Sequence, residues 1–125
     1  MKNAINWFEI SVNDYERAKK FYSEILGVEI VDYHMPEKNM KYGMFPHDEK
    51  NGGVGGGLME MEGCNPSMDG ATVYLNGGDD LNNVLSKVEK AGGAVLMPKM
   101  EIGENGFIAQ FTDTEGNRVA LHSFN

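Results

Sequence analysis

Five side chains offer the lone pairs that metal binding or proton transfer needs: His34, His47 and His122, with Glu9 and Glu60. In an extended segment alternate residues share a face, so Glu9 falls on the side of Trp7 and His122 on the side of Ala120. Both then border a cavity if those faces line one. His34 and His47 flank turn-like stretches and read as surface residues. An imidazole with an ordinary pKa of about 6.5 suits proton transfer. His122 and Glu9 are therefore the candidate catalytic groups, but no paired nucleophile or second acid accompanies them. Trp7 is the single tryptophan, and its indole either stacks a planar or cationic guest or fills the space itself. The 9 methionines carry adaptable thioethers that suit irregular apolar ligands as well as a core.

These groups need elements to position them. Ile5 to Val12 mixes aromatic and β-branched residues in partial alternation and predicts a strand. Asn13 or Asp14 caps a helix whose apolar face is Ala18, Phe21, Tyr22, Ile25 and Leu26, with Gly27 as its terminator. Strands are expected at Val28 to His34, Met40 to Phe45 and Val54 to Met61, with Met35 to Lys38 and Pro46 to Gly53 as turns. After the loop from Glu62 to Gly70, the pattern predicts a strand at Ala71 to Asn76 and a helix at Leu81 to Ala91. Further strands follow at Ala94 to Met97, Phe107 to Thr112 and Asn117 to Ser123, the last two joined by the turn Asp113 to Gly116. Asp14 and Asp80 each open a helix and Gly27 and Gly93 each follow one, and both pairs are 66 residues apart. The chain therefore repeats itself, and two halves of this size are expected to share a core that neither would make alone.

Composition narrows the functions. A length of 125 residues fits one domain, since domains commonly run to about 100 to 200 residues. With 11 basic and 19 acidic residues the net charge is −8, which argues against nonspecific nucleic-acid binding, a task that requires surplus cation. A cavity lined with carboxylates would favour a cationic ligand. The lone Cys64 makes no intramolecular disulfide and supports no cysteine metal cluster, which fits a reducing compartment. No apolar run is long enough to span a bilayer and no signal core opens the chain, so the expectation is a cytoplasmic protein without membrane contact. The glycine-rich run Gly52 to Gly57 lacks the Gly-Lys-Ser/Thr and the strand-to-helix setting of a phosphate loop. It is expected to allow a bulge, a flexible edge or close approach at a dimer seam. Gly77 to Asp80 reads as a turn into a helix cap, and Gly103 to Gly106 as a turn that is either structural or a gate.

Trp7-Phe8-Glu9-Ile10, Val12, Asp14, Arg17-Ala18, Phe21-Tyr22 and Leu26-Gly27, taken with Val73-Tyr74-Leu75-Asn76, Asp79-Asp80-Leu81, Gly92-Gly93 and the closing run from Phe111 to His122, form a recognisable pattern. Over nearly the whole chain it resembles the vicinal oxygen chelate superfamily of glyoxalase I, bleomycin-resistance proteins and extradiol dioxygenases. The resemblance implies an α+β fold of paired βαβββ modules, here 1–63 and 64–125, forming a cupped mixed sheet, with a homodimer and a ligand cavity inside the cup. In metal-dependent relatives His and Glu side chains hold a divalent ion. Their slots fall here on Trp7, Gly57, Thr72 and Ala120, none of which is a usual ligand, so no metal or other cofactor is expected. The ligand-binding candidates are Trp7, Glu9, Gly57, Met59, Thr72, Tyr74, Asn76, Phe107, Phe111, Ala120 and His122, with Met44, Met61, Met100 and Ala109 as further cavity candidates. The leading expectation is a metal-independent protein that binds a small apolar, aromatic or cationic molecule. The alternatives are a lyase or isomerase with a non-standard site, and a non-catalytic subunit for protein association.

Overall fold

The computed structural model describes residues 2–34 and 39–125. Its elements are β1 (Trp7–Ser11), α1 (Tyr15–Leu26), β2 (Val31–Tyr33), β3 (Met40–Met44), β4 (Gly55–Met61), β5 (Tyr74–Asn76), α2 (Asn82–Leu85), β6 (Ala94–Glu101), β7 (Phe107–Thr112) and β8 (Arg118–Ser123). They form two four-stranded sheets, ordered β1-β4-β3-β2 and β5-β8-β7-β6. In each sheet the first strand pairs parallel to the last, and the other pairings are antiparallel. The same strand order occurs twice, as the repeat in the sequence implies, and the fold is α+β.

Local chemistry explains the first helix. The Asp14 carboxylate accepts from the Arg17 N–H at 3.1 Å, and Gly27 closes the helix at φ 65°, a conformation that costs a residue without Cβ little. Between these caps α1 buries Tyr15, Ala18, Phe21, Tyr22 and Ile25. This stripe serves both halves. Tyr22 packs edge-on against Phe45 of the first half at 5.7 Å, and Phe21 meets Phe111 of the second at 5.9 Å. A single apolar core therefore spans both sheets.

The turn from Asp113 to Gly116 is also a joint between the halves. Tyr22 Oη donates to Asp113 Oδ2 at 2.6 Å, and Asn117 Nδ2 donates to the Ser11 carbonyl at 2.8 Å. Glu115 Oε1 accepts from the backbone N–H of Asn13 at 2.9 Å and of Asp14 at 2.8 Å, while Arg17 Nε donates to Oε2 at 2.7 Å. The Glu115 side chain is fully buried. Burial alone would favour its neutral form, but the hydrogen bonds from Arg17, Asp14, Thr114 and Asn13 outweigh that and hold its pKa below the ordinary glutamate value.

Several elements depart from the sequence expectation. α2 stops at Leu85 because Lys87 and Val88 bond to the carbonyls three residues back, at Val84 and Leu85, which tightens the chain into turns. Leu81, Val84, Leu85 and Val88 stay buried all the same. β2 starts at Val31, and β5 is confined to Tyr74–Asn76, leaving Ala71 and Thr72 ahead of the strand. β6 continues to Glu101 through register shifts on either side of Met97. It is an edge strand, so Pro98 can sit in it without breaking a central ladder. The expected turn at Met35 to Lys38 lies outside the described residues.

Candidate functional site

β4 lies between β1 and β3, so its glycines do not form a sheet edge. They take up aromatic rings instead. A Cβ at Gly55 would overlap the His47 ring, one at Gly56 the Phe8 ring and one at Gly57 the Tyr42 ring. By strand alternation His47 and Tyr42 cover the face turned away from the core, and Phe8 covers the core face. The glycines thus supply close approach in the middle of a sheet.

On that outer face Glu9 stands directly across from Gly57, and Gly57 across from Met44. Tyr42 stands across from Met59 and leans diagonally over Gly57. Its hydroxyl then meets both flanking groups: Trp7 Nε1 donates to Tyr42 Oη at 2.8 Å, and Tyr42 Oη donates to Glu9 Oε2 at 2.8 Å. His47 closes the cluster with its ring edge-on to Trp7 at 5.8 Å. Tyr42 is only 7% exposed, whereas Trp7 is 40% exposed. Burial pushes the Tyr42 phenol up to about 12; the Trp7 N–H opposes that rise and the Glu9 carboxylate adds to it. Tyr42 therefore remains a neutral donor that orients Glu9. Among the described residues nothing donates to Glu9 Oε1, so one charged acceptor faces outward beside an exposed indole.

The equivalent face of the second sheet has different chemistry. One cross-strand row is Tyr74, Ala120, Gln110 and Met97, and the next is Asn76, His122, Ile108 and Met100. Tyr74 is 47% exposed, and Ala120 is buried between its neighbours. His122 Nε2 lies 2.6 Å from the Asn105 carbonyl oxygen, and its ring stands edge-on to Phe124 at 4.7 Å. The turn at Gly103–Asn105 thus holds His122.

The structure brings Trp7, Glu9, Gly57, Met59 and Met44 together around Tyr42. It gathers Tyr74, Asn76, Ala120, His122 and Met100 on the other sheet, and Thr72 lies half-buried ahead of β5. Phe107 and Phe111, expected among the ligand-binding residues, and Ala109, expected at the cavity, lie instead on the core side of β7. Phe111 pairs with buried Val119 and Ala109 with buried Leu121, so alternation turns all three toward the core, where Phe111 meets Phe21. Phe107 packs partly buried against that core and carries the Lys99 ammonium 4.4 Å from its ring centre. Glu60 is also not part of a site, since its Oε1 accepts from the Tyr15 N–H at 2.8 Å where α1 begins. His34 is exposed, while the His47 side chain is 23% exposed. Sequence reasoning missed Tyr42 and the role of His47. The alternation of Met40, Tyr42 and Met44 held part of the signal, because Met44 was a cavity candidate and Tyr42 shares its face.

The four metal-ligand slots do not fit an ion. Zinc-like ions need imidazole, carboxylate or thiolate donors at about 2.0 to 2.3 Å. The Trp7 indole presents an N–H already given to Tyr42, the Tyr42 ring covers Gly57, Thr72 offers only a neutral hydroxyl, and Ala120 ends in a methyl. Among the described residues no group of three or more His, Cys, Asp or Glu side chains is placed to hold a metal.

The family model of the Glyoxalase/Bleomycin resistance protein/Dioxygenase superfamily matches residues 4–121. The chain is 31% identical over 125 residues to the putative glyoxylase CFP32 of Mycobacterium tuberculosis, and equally to that of Mycobacterium bovis. Those alignments cover 96% of this chain and 45% of each relative, so the chain spans about half the length of the curated relatives it matches. A glyoxalase I variant from Zea mays superposes with a TM-score of 0.72 at 23% identity, over 94% of this chain and 46% of that one. A glyoxylase/bleomycin resistance protein/dioxygenase domain from Frankia sp. EAN1pec gives 0.68 at 20% identity, over 100% and 94%. At these identities the likeness is one of fold.

Proposed function

The chain belongs to the Glyoxalase/Bleomycin resistance protein/Dioxygenase superfamily, and on that premise we propose that it is a metal-independent protein that binds and sequesters a small apolar, aromatic or cationic molecule. The observation that carries this reading is the chain of hydrogen bonds from Trp7 through Tyr42 to Glu9, laid over Gly57. It occupies two of the slots from which relatives would direct a metal ligand. In their place it offers an exposed indole, two thioethers from Met44 and Met59, and one carboxylate oxygen. An indole face attracts a planar or cationic guest, the thioethers adapt to its outline, and Glu9 Oε1 takes a positive charge or a donor. On this reading the set holds a guest by shape, stacking and charge, and sequestration is the function.

A second copy of the chain is the proposed means of covering these faces. Val31 and Tyr33 on the first sheet, and Tyr74 and Met100 on the second, are each between 46% and 52% exposed, and a second copy would cover them.

Because Trp7 is the only tryptophan, its fluorescence reports on the site directly. Titration of chelator-treated protein with planar aromatic cations, neutral aromatics and aliphatic amines is expected to give saturable quenching by at least one class. Calorimetry on Trp7→Ala is then expected to show at least about a tenfold loss of affinity, the scale of a stacked cation. Retained affinity in Trp7→Ala, or binding that appears only after stoichiometric uptake of nickel, zinc, manganese or iron(II), overturns the reading.

A further inference from the structure

A wide concavity among the described residues lies away from both candidate faces. It is an open groove of about 920 Å³ between α1 and the turns that follow α2. Arg17 and Lys20 line it from α1, Lys87 and Lys90 from the other wall, and Glu24 is its single carboxylate. Four of the 11 basic residues of a chain with net charge −8 therefore border one cavity.

The pairing of these cations differs from that of others on the surface. Lys19 is 2.9 Å from Asp32 and Lys99 is 2.9 Å from Asp80. Among the described residues Lys20, Lys87 and Lys90 form no ion pair, and all three are exposed. Arg17 is held differently: Nε and Nη2 are given to buried Glu115, and its side chain remains 52% exposed at the groove. Like charges collected around a concavity repel one another and focus a positive potential into it, which an anion relieves. Lysine heads on opposite walls suit a multivalent guest, because each acts as a point charge without demanding the planar match that arginine makes.

We propose that this groove binds a small multivalent anion, a phosphorylated or polycarboxylate metabolite, as a site separate from the Trp7 face. Its volume falls within the range of about 300 to 1,000 Å³ typical of small-molecule sites. Occupation also stiffens the joint between the halves. Thr114 lines the groove and its hydroxyl donates to Glu115 Oε2 at 2.8 Å, so a guest there rests on the turn that receives Asn13 and Asp14.

The test is calorimetric titration and thermal melting of the full chain with pyrophosphate and with citrate, against sodium acetate at matched ionic strength. Saturable heat with a raised melting temperature is expected for at least one multivalent anion, and the two arms tell phosphate from carboxylate recognition. Lys87→Ala/Lys90→Ala is expected to weaken that binding by about tenfold or more through loss of two charge-assisted contacts, with the melting temperature of the free protein unchanged. Lys20→Ala provides the same test from the other wall, and Lys50→Ala, far from the groove in sequence and absent from its lining, is expected to change nothing. Equal stabilisation by acetate, no saturable binding of either anion at millimolar concentration, or unchanged affinity in both lysine variants overturns the proposal.

Discussion

The outer faces of the two sheets share a strand order but not a chemistry. On the first, a glycine in the central strand admits the Tyr42 ring, and the ring's hydroxyl joins Trp7 to Glu9. On the second, Ala120 occupies the equivalent ladder position between Tyr74 and Gln110, and His122 is held by a backbone carbonyl. A repeated backbone thus preserves the ladder while the side chains on it differ: where Tyr42 leans across Gly57, the corresponding position beside Ala120 carries Ile108, which has no ring to lay across it. The first face is a bonded unit, and the second is a set of separately held side chains.

The strongest way to break this comparison is to loosen the joint that sets one half against the other. Glu115→Ala leaves the Asn13 and Asp14 N–H groups without their acceptor and is expected to cost ~3 kcal/mol in chemical denaturation. The same carboxylate gives a pH signature. Its folded pKa is depressed, so its stabilisation is present above the ordinary value of 4.5 and is lost as pH falls through the lower folded value. Glu115→Gln is expected to flatten that acid limb, and an unchanged limb would show that the joint does not contribute to it.

Overpacking is the next test. Gly57→Val drives a side chain into the Tyr42 ring and is expected to cost about 2 to 3 kcal/mol, with part of the loss recovered in Gly57→Val/Tyr42→Ala. No recovery in the double variant would mean that the ring is not what the glycine accommodates. A smaller effect is expected from Tyr42→Phe, which keeps the ring and removes the hydroxyl. Ligand affinity should fall by about three- to tenfold as Glu9 loses its orienting donor. An ultraviolet pH titration should lose a tyrosine that ionises at about 12. Because that pKa is raised, the phenol's contribution to stability is intact below its ordinary value of 10.0 and fades as pH rises through about 12. The smallest change is expected for His122→Ala, less than about twofold in affinity for a ligand of the Trp7 face. A large loss there would mean that both faces meet one ligand and would merge the two halves of the comparison.

Much of the fold was legible because its signals are local. Alternation around Trp7 and Glu9, the α1 stripe ending at Gly27 and the Asp113 to Gly116 turn each depend on neighbours in the chain. Alternation does not place Phe107 and Phe111, because a period of two separates the faces of a strand without saying which one meets a helix. α2 was overestimated for a related reason: burial of Leu81, Val84, Leu85 and Val88 persists whether the chain closes four-residue or three-residue turns.

By itself the sequence determined the order of the elements, the repeat and the caps of α1 at Asp14 and Gly27, since each depends on residue type or short-range spacing. Only the tertiary structure decided that Tyr42 lies over Gly57, that Glu115 receives the start of α1 from 101 residues away, and that four cations share one groove. These are contacts between segments distant in the chain, set by strand register and by how the two halves meet, and no local periodicity encodes them.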